Sequence, residues 1–195
     1  MPNLFSEDDI ERTLLGRLHE QYGYELLNCI TAQPGDLQDG SGRRDKRDVI
    51  LGDRLQATAR RLNPQIPDAE LEQALAQFAE RRQAMTLVAA NRELDALLRD
   101  GIAVRYQQDG QWQQEQLRLI DFNEASNNDF LAVTQLWIKG INDKYLRPDV
   151  LLYVNGIPLV FIELKNSNIP VRNAYDDNLV RYRKSIPQLF LTNAF

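Results

Sequence analysis

The stretch from Arg147 to Lys165 reads RPDVLLYVNGIPLVFIELK, in which two apolar runs are separated by Asn155-Gly156. Short apolar runs bounded by turn residues are typical of buried strands. An Asn-Gly pair between two such runs is the strongest short-range signal of a β-hairpin. We therefore expect two antiparallel strands, Asp149–Val154 and Leu159–Leu164, near the centre of the fold.

This hairpin is expected to bring together acidic residues from the ends of its two strands. Asp149 opens the first strand and Glu163 closes the second. With the turn centred between residues 155 and 156, the partner of residue 149 is about residue 162, so Asp149 should lie beside Glu163 to within one residue. Glu163 and Lys165 are two positions apart and therefore point to the same face. Two carboxylates and one ammonium group should thus meet at one end of the sheet.

Such a cluster has a specific chemical use. Two neighbouring carboxylates resist ionisation unless a cation lies between them, and Lys165 offsets only one charge. A hard divalent ion such as Mg²⁺, which prefers oxygen ligands, would offset the rest. Hydrolysis of a phosphodiester needs charge neutralisation and a positioned nucleophile, which a metal and a lysine supply. A bare Glu-x-Lys would more often be an ordinary cross-strand salt bridge, but its place at the end of this hairpin favours a nuclease.

Strands are also expected elsewhere in the second half of the chain. After Gly101 the apolar periodicity changes from helical to alternating, and Asp109-Gly110 supplies a second hairpin turn. The first of these strands begins at Ile102, and Gln116–Phe122 is its expected hairpin partner. Further strands are expected at Phe130–Lys139 and Gln188–Thr192, with a helix over residues 173–185.

The first helix is marked by its caps. Ser6 and Asp9 match a capping box, and Gly23 follows as a stop signal. Between them, apolar residues recur at helical spacing, at Ile10, Leu14, Leu15 and Leu18. Glu11 shares this apolar face, where a carboxylate needs a partner, a metal or a route to solvent at the edge of the stripe.

The region that follows is expected to be a polar loop and then helices. The loop spans residues 32–47, and helical patterns continue to about residue 99 with a break at residues 63–67. A basic run ends the loop, namely Arg43, Arg44, Lys46 and Arg47. It could contact phosphate, although such runs usually form a solvated face. The whole chain is thus predicted to be one α/β (α+β) domain with a mixed central sheet flanked by helices, comprising a helical subregion over 24–100 and a sheet-rich core over 101–195.

Composition excludes several classes of protein. The 195 residues include 23 Lys and Arg against 28 Asp and Glu, a formal net charge of −5, which argues against a wholly basic nucleic-acid coat protein. A single cysteine, Cys29, excludes a disulfide framework and a multi-cysteine zinc site, and it favours a reducing, cytoplasmic setting. The apolar runs are far shorter than the ~20 residues of a membrane helix, so no membrane association is expected.

At this point the sequence resembles a known family. The Asp149…Glu163-x-Lys165 pattern resembles the PD-(D/E)xK nuclease superfamily. A fuller resemblance is to the N-terminal nuclease domain of the restriction (motor) subunit of type I restriction–modification enzymes. The stretches that carry it are LRLIDFNEASNNDFLAVTQLWI (117–138), RPDVLLYVNGIPLVFIELKN (147–166) and NLVRYRKSIPQLFLTNAF (178–195). The resemblance is strong from about Gly101 onward and weaker over residues 24–100.

The resemblance implies a role for each matching residue. Asp149, Glu163 and the backbone carbonyl of Leu164 would bind Mg²⁺, and Lys165 would orient the attacking water and stabilise transition-state charge. Glu11 matches an acidic residue on the first core helix that assists the metal site in many members. A Gln-x-x-x-Tyr motif corresponds to Asn178 and Tyr182, with the shorter amide in place of glutamine. DNA-backbone contacts from the same helix would come from Arg181 and Arg183.

The function implied is that of a type I restriction endonuclease. It would cut double-stranded DNA without sequence specificity, coupled to translocation driven by ATP. The chain contains no Walker A pattern, so ATP would be used by motor domains in a longer chain of which this is a fragment. Modification and specificity subunits would complete the complex. Two alternatives remain open: another nuclease of the superfamily, acting in repair or junction resolution, and an inactive DNA-binding or docking domain, which the Asn178 departure motivates.

Overall fold

The computed structural model describes residues 6–82, 84–165 and 179–192. Within them the helices are α1 (Glu7–Tyr22), α2 (Gly52–Leu62), α3 (Asp68–Ala79), α4 (Leu87–Asp100) and α5 (Val180–Ser185). The strands are β1 (Glu25–Asn28), β2 (Ile102–Gln108), β3 (Gln111–Leu117), β4 (Phe130–Thr134), β5 (Ile138–Lys139), β6 (Tyr145–Leu146), β7 (Val150–Val154) and β8 (Ile157–Ile162).

A mixed sheet forms the centre of the described chain. Its four strands lie in the order β1-β4-β7-β8. β1 runs parallel to β4, whereas β4 pairs antiparallel with β7 and β7 with β8. The predicted mixed central sheet flanked by helices is therefore confirmed, and the predicted hairpin supplies one interior strand and one edge strand.

The two faces of this sheet pack against different helices because side chains alternate along each strand. Val150 and Leu152 pack on one face against half-buried leucines of α1. Leu151 and Tyr153 are buried on the opposite face together with Tyr182 of α5. The central hairpin is thus held between the first and the last described helices.

A second apolar cluster lies beside the sheet, where α2, α3 and α4 pack against the β2–β3 hairpin. Leu55, Phe78, Leu94 and Leu117 are buried together in this cluster. Ile157, the first residue of β8, is buried in the same cluster. Together with the half-buried Val154 and Leu159, which pack against the cluster, Ile157 ties the helical region to the hairpin that carries the acidic residues.

The caps of α1 form as expected. Asp9 N donates to Ser6 Oγ at 3.1 Å, and Ser6 N donates to Asp9 Oδ2 at 3.1 Å. Gly23 ends the helix in the left-handed region, with φ of +71°, which glycine adopts at little cost. Among the helices of the described residues, none is both long enough and apolar enough to cross a membrane.

The partner strand of the β2 hairpin begins earlier in the chain than predicted. We expected it at Gln116–Phe122, but β3 begins at Gln111 and pairs with β2 from Gln108↔Gln111 onward. Asp109 and Gly110 both have positive φ, +52° and +76°, which is the conformation of a tight two-residue hairpin turn. Because the turn is so short, pairing starts at the next residue.

The strand expected at Phe130–Lys139 is in fact two strands in different sheets. β4 ends at Thr134, and β5 pairs only with β6 among the described residues. Between them, Gln135 has a φ of +59°, which lies outside the extended region and so ends the first strand.

The final strand expected at Gln188–Thr192 is also wrong. Pro187–Phe190 forms a short 3₁₀ helix instead, and Leu189 and Phe190 are both buried. Leu189 N donates to the carbonyl oxygen of Ile186 at 3.1 Å, which is the i→i+3 bond of a 3₁₀ turn, and Pro187 has no N–H to give to a strand ladder. Of the helix expected over 173–185, α5 is observed, whereas residues 173–178 lie outside the described part of the chain.

The basic run at the end of the 32–47 loop is partly buried. Asp39 Oδ2 accepts hydrogen bonds from Arg43 Nη2 at 2.8 Å and from Lys46 Nζ at 2.7 Å. The three side chains are at most 3% exposed. Arg43 and Lys46 are therefore neither a solvated face nor DNA contacts, because a buried aspartate holds both.

Candidate active site

The β7–β8 hairpin brings Asp149 and Glu163 to the same end of the sheet. At the turn, Asn155 and Gly156 have positive φ, and β8 begins directly after it, two residues earlier than expected. An irregularity between Leu152 and Tyr153 shifts the register by one residue, so Val150 pairs with Ile162. The next positions outward are Asp149 and Glu163. The register predicted to within one residue is therefore observed.

Direct contacts join these residues to Leu164 and Lys165. The backbone N–H of Leu164 donates to Asp149 Oδ2 at 2.6 Å. Lys165 Nζ donates to Glu163 Oε1 at 3.1 Å and to the carbonyl oxygen of Leu164 at 2.8 Å. The side chains of Glu163 and Lys165 are 12% and 24% exposed. The four residues predicted for the site thus form one connected cluster that solvent reaches.

The cluster carries excess negative charge. Burial raises the pKa of Glu163, the Asp149 carboxylate raises it further, and Lys165 and Arg181 act in the opposite direction. Burial also raises the pKa of Glu11, again with a contribution from Asp149, and Arg147 opposes it. Glu11 of α1 therefore lies within electrostatic reach of Asp149. A site of this kind stabilises an added cation.

The donor set fits a hard divalent cation. Within residues 6–82, 84–165 and 179–192, no three acidic, histidine or cysteine side chains gather closely enough to hold a metal by themselves. Mg²⁺ usually takes one or two carboxylates and keeps several waters, so Asp149, Glu163 and the Leu164 carbonyl suffice. Two of these oxygens already converge on one positive charge, that of Lys165 Nζ. Glu11 is near the site without forming part of such a group.

Tyr182 of α5 supports the site from the sheet face that carries Leu151 and Phe161. Its side chain is buried, and its hydroxyl donates to the carbonyl oxygen of Arg147 at 2.8 Å. Its ring packs edge-on against Phe161, with 5.0 Å between the centroids. Burial raises the pKa of Tyr182, and Glu163 and Asp149 add to the effect. Tyr182 therefore anchors the chain two residues before Asp149.

The structure describes two of the three other residues predicted on this helix, Arg181 and Arg183. The guanidinium of Arg181 lies 5.5 Å from the centre of the Tyr182 ring and lowers the pKa of Glu163, so it faces the site. Arg183 is half-buried. Asn178, expected to match the glutamine of the motif, lies outside the described residues.

Removing the Tyr182 hydroxyl is expected to loosen the site without unfolding the chain. Tyr182→Phe leaves the Arg147 carbonyl without its buried donor, which costs about 1–3 kcal/mol. We expect the free energy of unfolding to fall by this amount in urea titrations. Tyr22→Phe is the matched control, since Tyr22 is 68% exposed, and it should change nothing. Equal stability of the two variants would contradict the anchoring role.

The similarity to known proteins extends over the whole chain. The family described as the N terminus of the type I restriction enzyme R protein matches residues 4–195. The chain belongs to this family. A relative, the type I restriction enzyme HindI endonuclease subunit of Haemophilus influenzae, is 33% identical over 196 residues, which are 97% of this chain and 18% of the relative. The putative MjaIXP endonuclease subunit of Methanocaldococcus jannaschii is 26% identical over 185 residues, 93% of this chain and 17% of the relative. The chain thus spans less than a fifth of the length of these relatives.

One residue beside the site, Arg147, has no role that the sequence predicts. Arg147 is exposed, and its guanidinium lies 5.0 Å from the centre of the Trp137 ring. The sequence feature that could have pointed to Arg147 is its position directly before Pro148-Asp149. The stacking partner, ten residues earlier in the chain, is visible only in the folded structure.

Proposed function

We propose that this chain is the nuclease domain of a type I restriction enzyme and hydrolyses phosphodiester bonds of double-stranded DNA with Mg²⁺. The observation that supports this most directly is the meeting of Asp149, Glu163, the Leu164 carbonyl and Lys165 at the end of one hairpin. The relatives' names as endonuclease subunits agree with it.

In this proposal the oxygens and the lysine have different tasks. Asp149, Glu163 and the Leu164 carbonyl would hold Mg²⁺, with Glu11 of α1 adding negative charge beside them. The ion would supply Lewis-acid stabilisation of the charge that develops on the phosphodiester. The raised pKa of Glu163 reflects burial and the neighbouring Asp149, and it is this unbalanced charge that favours a cation.

Lys165 is placed to act on the reacting groups. A lysine ammonium has three N–H donors, and its contacts with Glu163 and the Leu164 carbonyl use two of them. These contacts hold Nζ at a defined position between the Glu163 carboxylate and the Leu164 carbonyl. The remaining donor orients the attacking water and stabilises charge that develops on the phosphate.

The family match supports a proposal for the wider reaction. We propose that motor domains of the same protein use ATP to translocate DNA, and that modification and specificity subunits complete the complex. Cutting then needs no base readout within this domain, and Arg181 and Arg183 contact only the DNA backbone, which carries no sequence information. The family match favours this reading over a repair or junction nuclease.

The test combines cutting with metal binding. The full-length subunit, assembled with its partner subunits, should cut supercoiled plasmid in the presence of ATP and Mg²⁺. Electron paramagnetic resonance titration with Mn²⁺ should show binding to this chain that Glu163→Gln weakens about 10–100-fold, the size typical of a disturbed metal site. Asp143→Asn is the control, because Asp143 is 70% exposed and paired with Arg47.

Two results would contradict the proposal. If the wild-type assembly cuts with neither Mg²⁺ nor Mn²⁺, the inactive docking domain is the correct alternative. If Mn²⁺ binds Glu163→Gln as tightly as the wild type, the metal lies elsewhere.

A further inference from the structure

An arginine with no role in the proposed reaction stands at the edge of the site. Arg147 is exposed, and its guanidinium is held 5.0 Å from the centre of the half-buried Trp137 ring. Stacking on an aromatic face leaves the N–H donors at the rim of the guanidinium available, and these match the oxygens of a phosphate. Because the ring restrains the side chain, less conformational entropy is lost when an anion binds.

Hydrogen bonds with buried residues hold the segment of Trp137, on whose ring Arg147 stacks. The carbonyl oxygen of Trp137 accepts a hydrogen bond from Arg43 Nη2 at 3.1 Å, and the same atom of Arg43 binds Asp39. Lys139 N donates to the carbonyl oxygen of Lys46 at 2.9 Å. The buried ion cluster of the 32–47 loop therefore holds the segment on which Arg147 rests.

Arg147 and Arg181 both lie near the carboxylates. Arg147 stands two residues before Asp149, and Arg181 precedes Tyr182, whose ring packs against Phe161, two residues before Glu163. Each guanidinium is stacked on an aromatic ring, that of Trp137 or that of Tyr182. The Tyr182 hydroxyl also binds the carbonyl of Arg147, so both arginines are attached to the same framework.

We propose that Arg147, stacked on Trp137, binds a backbone phosphate of the DNA strand that lies at the carboxylates. This inference rests on the proposed nuclease function. The carboxylates of Asp149 and Glu163, with Glu11 nearby, repel a polyanion, and the guanidinium groups of Arg147 and Arg181 offset that repulsion. A phosphate contact is independent of sequence, as a domain without base readout requires.

The first test does not depend on cutting. In the full-length assembled subunit, made cleavage-defective by Lys165→Met, a photoreactive phenylalanine analogue replaces Arg147. It should crosslink to translocated DNA. The same analogue in place of Arg99 is the control, since Arg99 lies on α4 and is paired with Asp95 and Asp100, and it should not crosslink. A crosslink at position 147 no stronger than at position 99 overturns the proposal.

The second test uses the salt dependence of cutting. Arg147→Met should lower the cutting rate about tenfold, with ATP hydrolysis unchanged. The slope of the logarithm of the cutting rate against the logarithm of the salt concentration should become less steep by about one. Arg147→Lys, which keeps the charge and loses the planar fork, should be intermediate, and Arg99→Met should match the wild type. Slower cutting with an unchanged salt slope would make Arg147 a structural residue and overturn the proposal. A wild type that does not cut, while position 147 still crosslinks, refutes the nuclease function alone.

Discussion

Replacing Lys165 with methionine is expected to lower the rate of DNA cutting about 10³-fold, the size expected when a group that transfers protons or stabilises developing charge is lost. The reason is the position of Nζ, which is held between Glu163 and the Leu164 carbonyl at 3.1 and 2.8 Å. Methionine retains most of the side-chain volume and removes the charge. The measurement is the rate of plasmid cutting by the assembled full-length subunit, with ATP hydrolysis recorded in parallel.

Lys144→Met is the matched control for this experiment. Lys144 is exposed and lies five residues before Asp149, so its loss changes the net charge equally without touching the cluster. We expect the control to cut at the wild-type rate and both variants to hydrolyse ATP normally. If Lys165→Met cuts within about tenfold of the wild type, the cluster is an ordinary ion pair and the active site has been misplaced.

Replacing Asp39 with asparagine is expected to reduce the free energy of unfolding by about 3–5 kcal/mol, the cost of breaking a buried ion pair by removing one partner. Arg43 and Lys46, at 0% and 3% exposure, would be left as two buried cations without their shared anion. Urea denaturation followed by tryptophan fluorescence measures the loss. Because Arg43 also holds Trp137, we expect the emission of the folded state to shift as well.

The same cluster predicts a dependence of stability on pH. Burial by itself would raise the pKa of Asp39, but hydrogen bonds from Lys46, Ser41 and Arg43 outweigh it and lower the pKa below its ordinary value. A carboxyl whose pKa is lower in the folded state stabilises the fold fully above the ordinary aspartate pKa of about 4, and this contribution is lost as the pH falls through the folded-state value. Asp39→Asn should therefore be less sensitive than the wild type to acid.

Asp95→Asn provides the comparison for both measurements. Asp95 pairs with Arg99 on the surface of α4, with both side chains more than 60% exposed, and such pairs contribute little. We expect its unfolding free energy to stay within about 0.5 kcal/mol of the wild type. An Asp39→Asn variant as stable as this control would contradict a structural role for the buried ions.

Features set by neighbouring residues were predictable from the sequence. The capping box of Ser6 and Asp9 spans three positions, and the Asn155-Gly156 turn determines a pairing that brings Asp149 to within one residue of Glu163. The irregularity after Leu152 supplies the last step of the register. Lys165 follows Glu163 by two residues, so its proximity is also local. The core of the candidate site could therefore be derived before the fold was known, because short-range geometry and one tight turn fix it.

Features that depend on distant segments were decided by the tertiary structure. β1 has the unremarkable sequence ELLN and becomes a strand because it pairs with β4, about a hundred residues later. The basic run near Arg43 was indistinguishable from a surface patch until Asp39 was seen to bury it. The stacking of Arg147 on Trp137 likewise joins segments that no local pattern relates. Local propensity and turn geometry act over a few residues, whereas burial and strand pairing depend on which remote segments pack together, and the sequence alone does not show that packing.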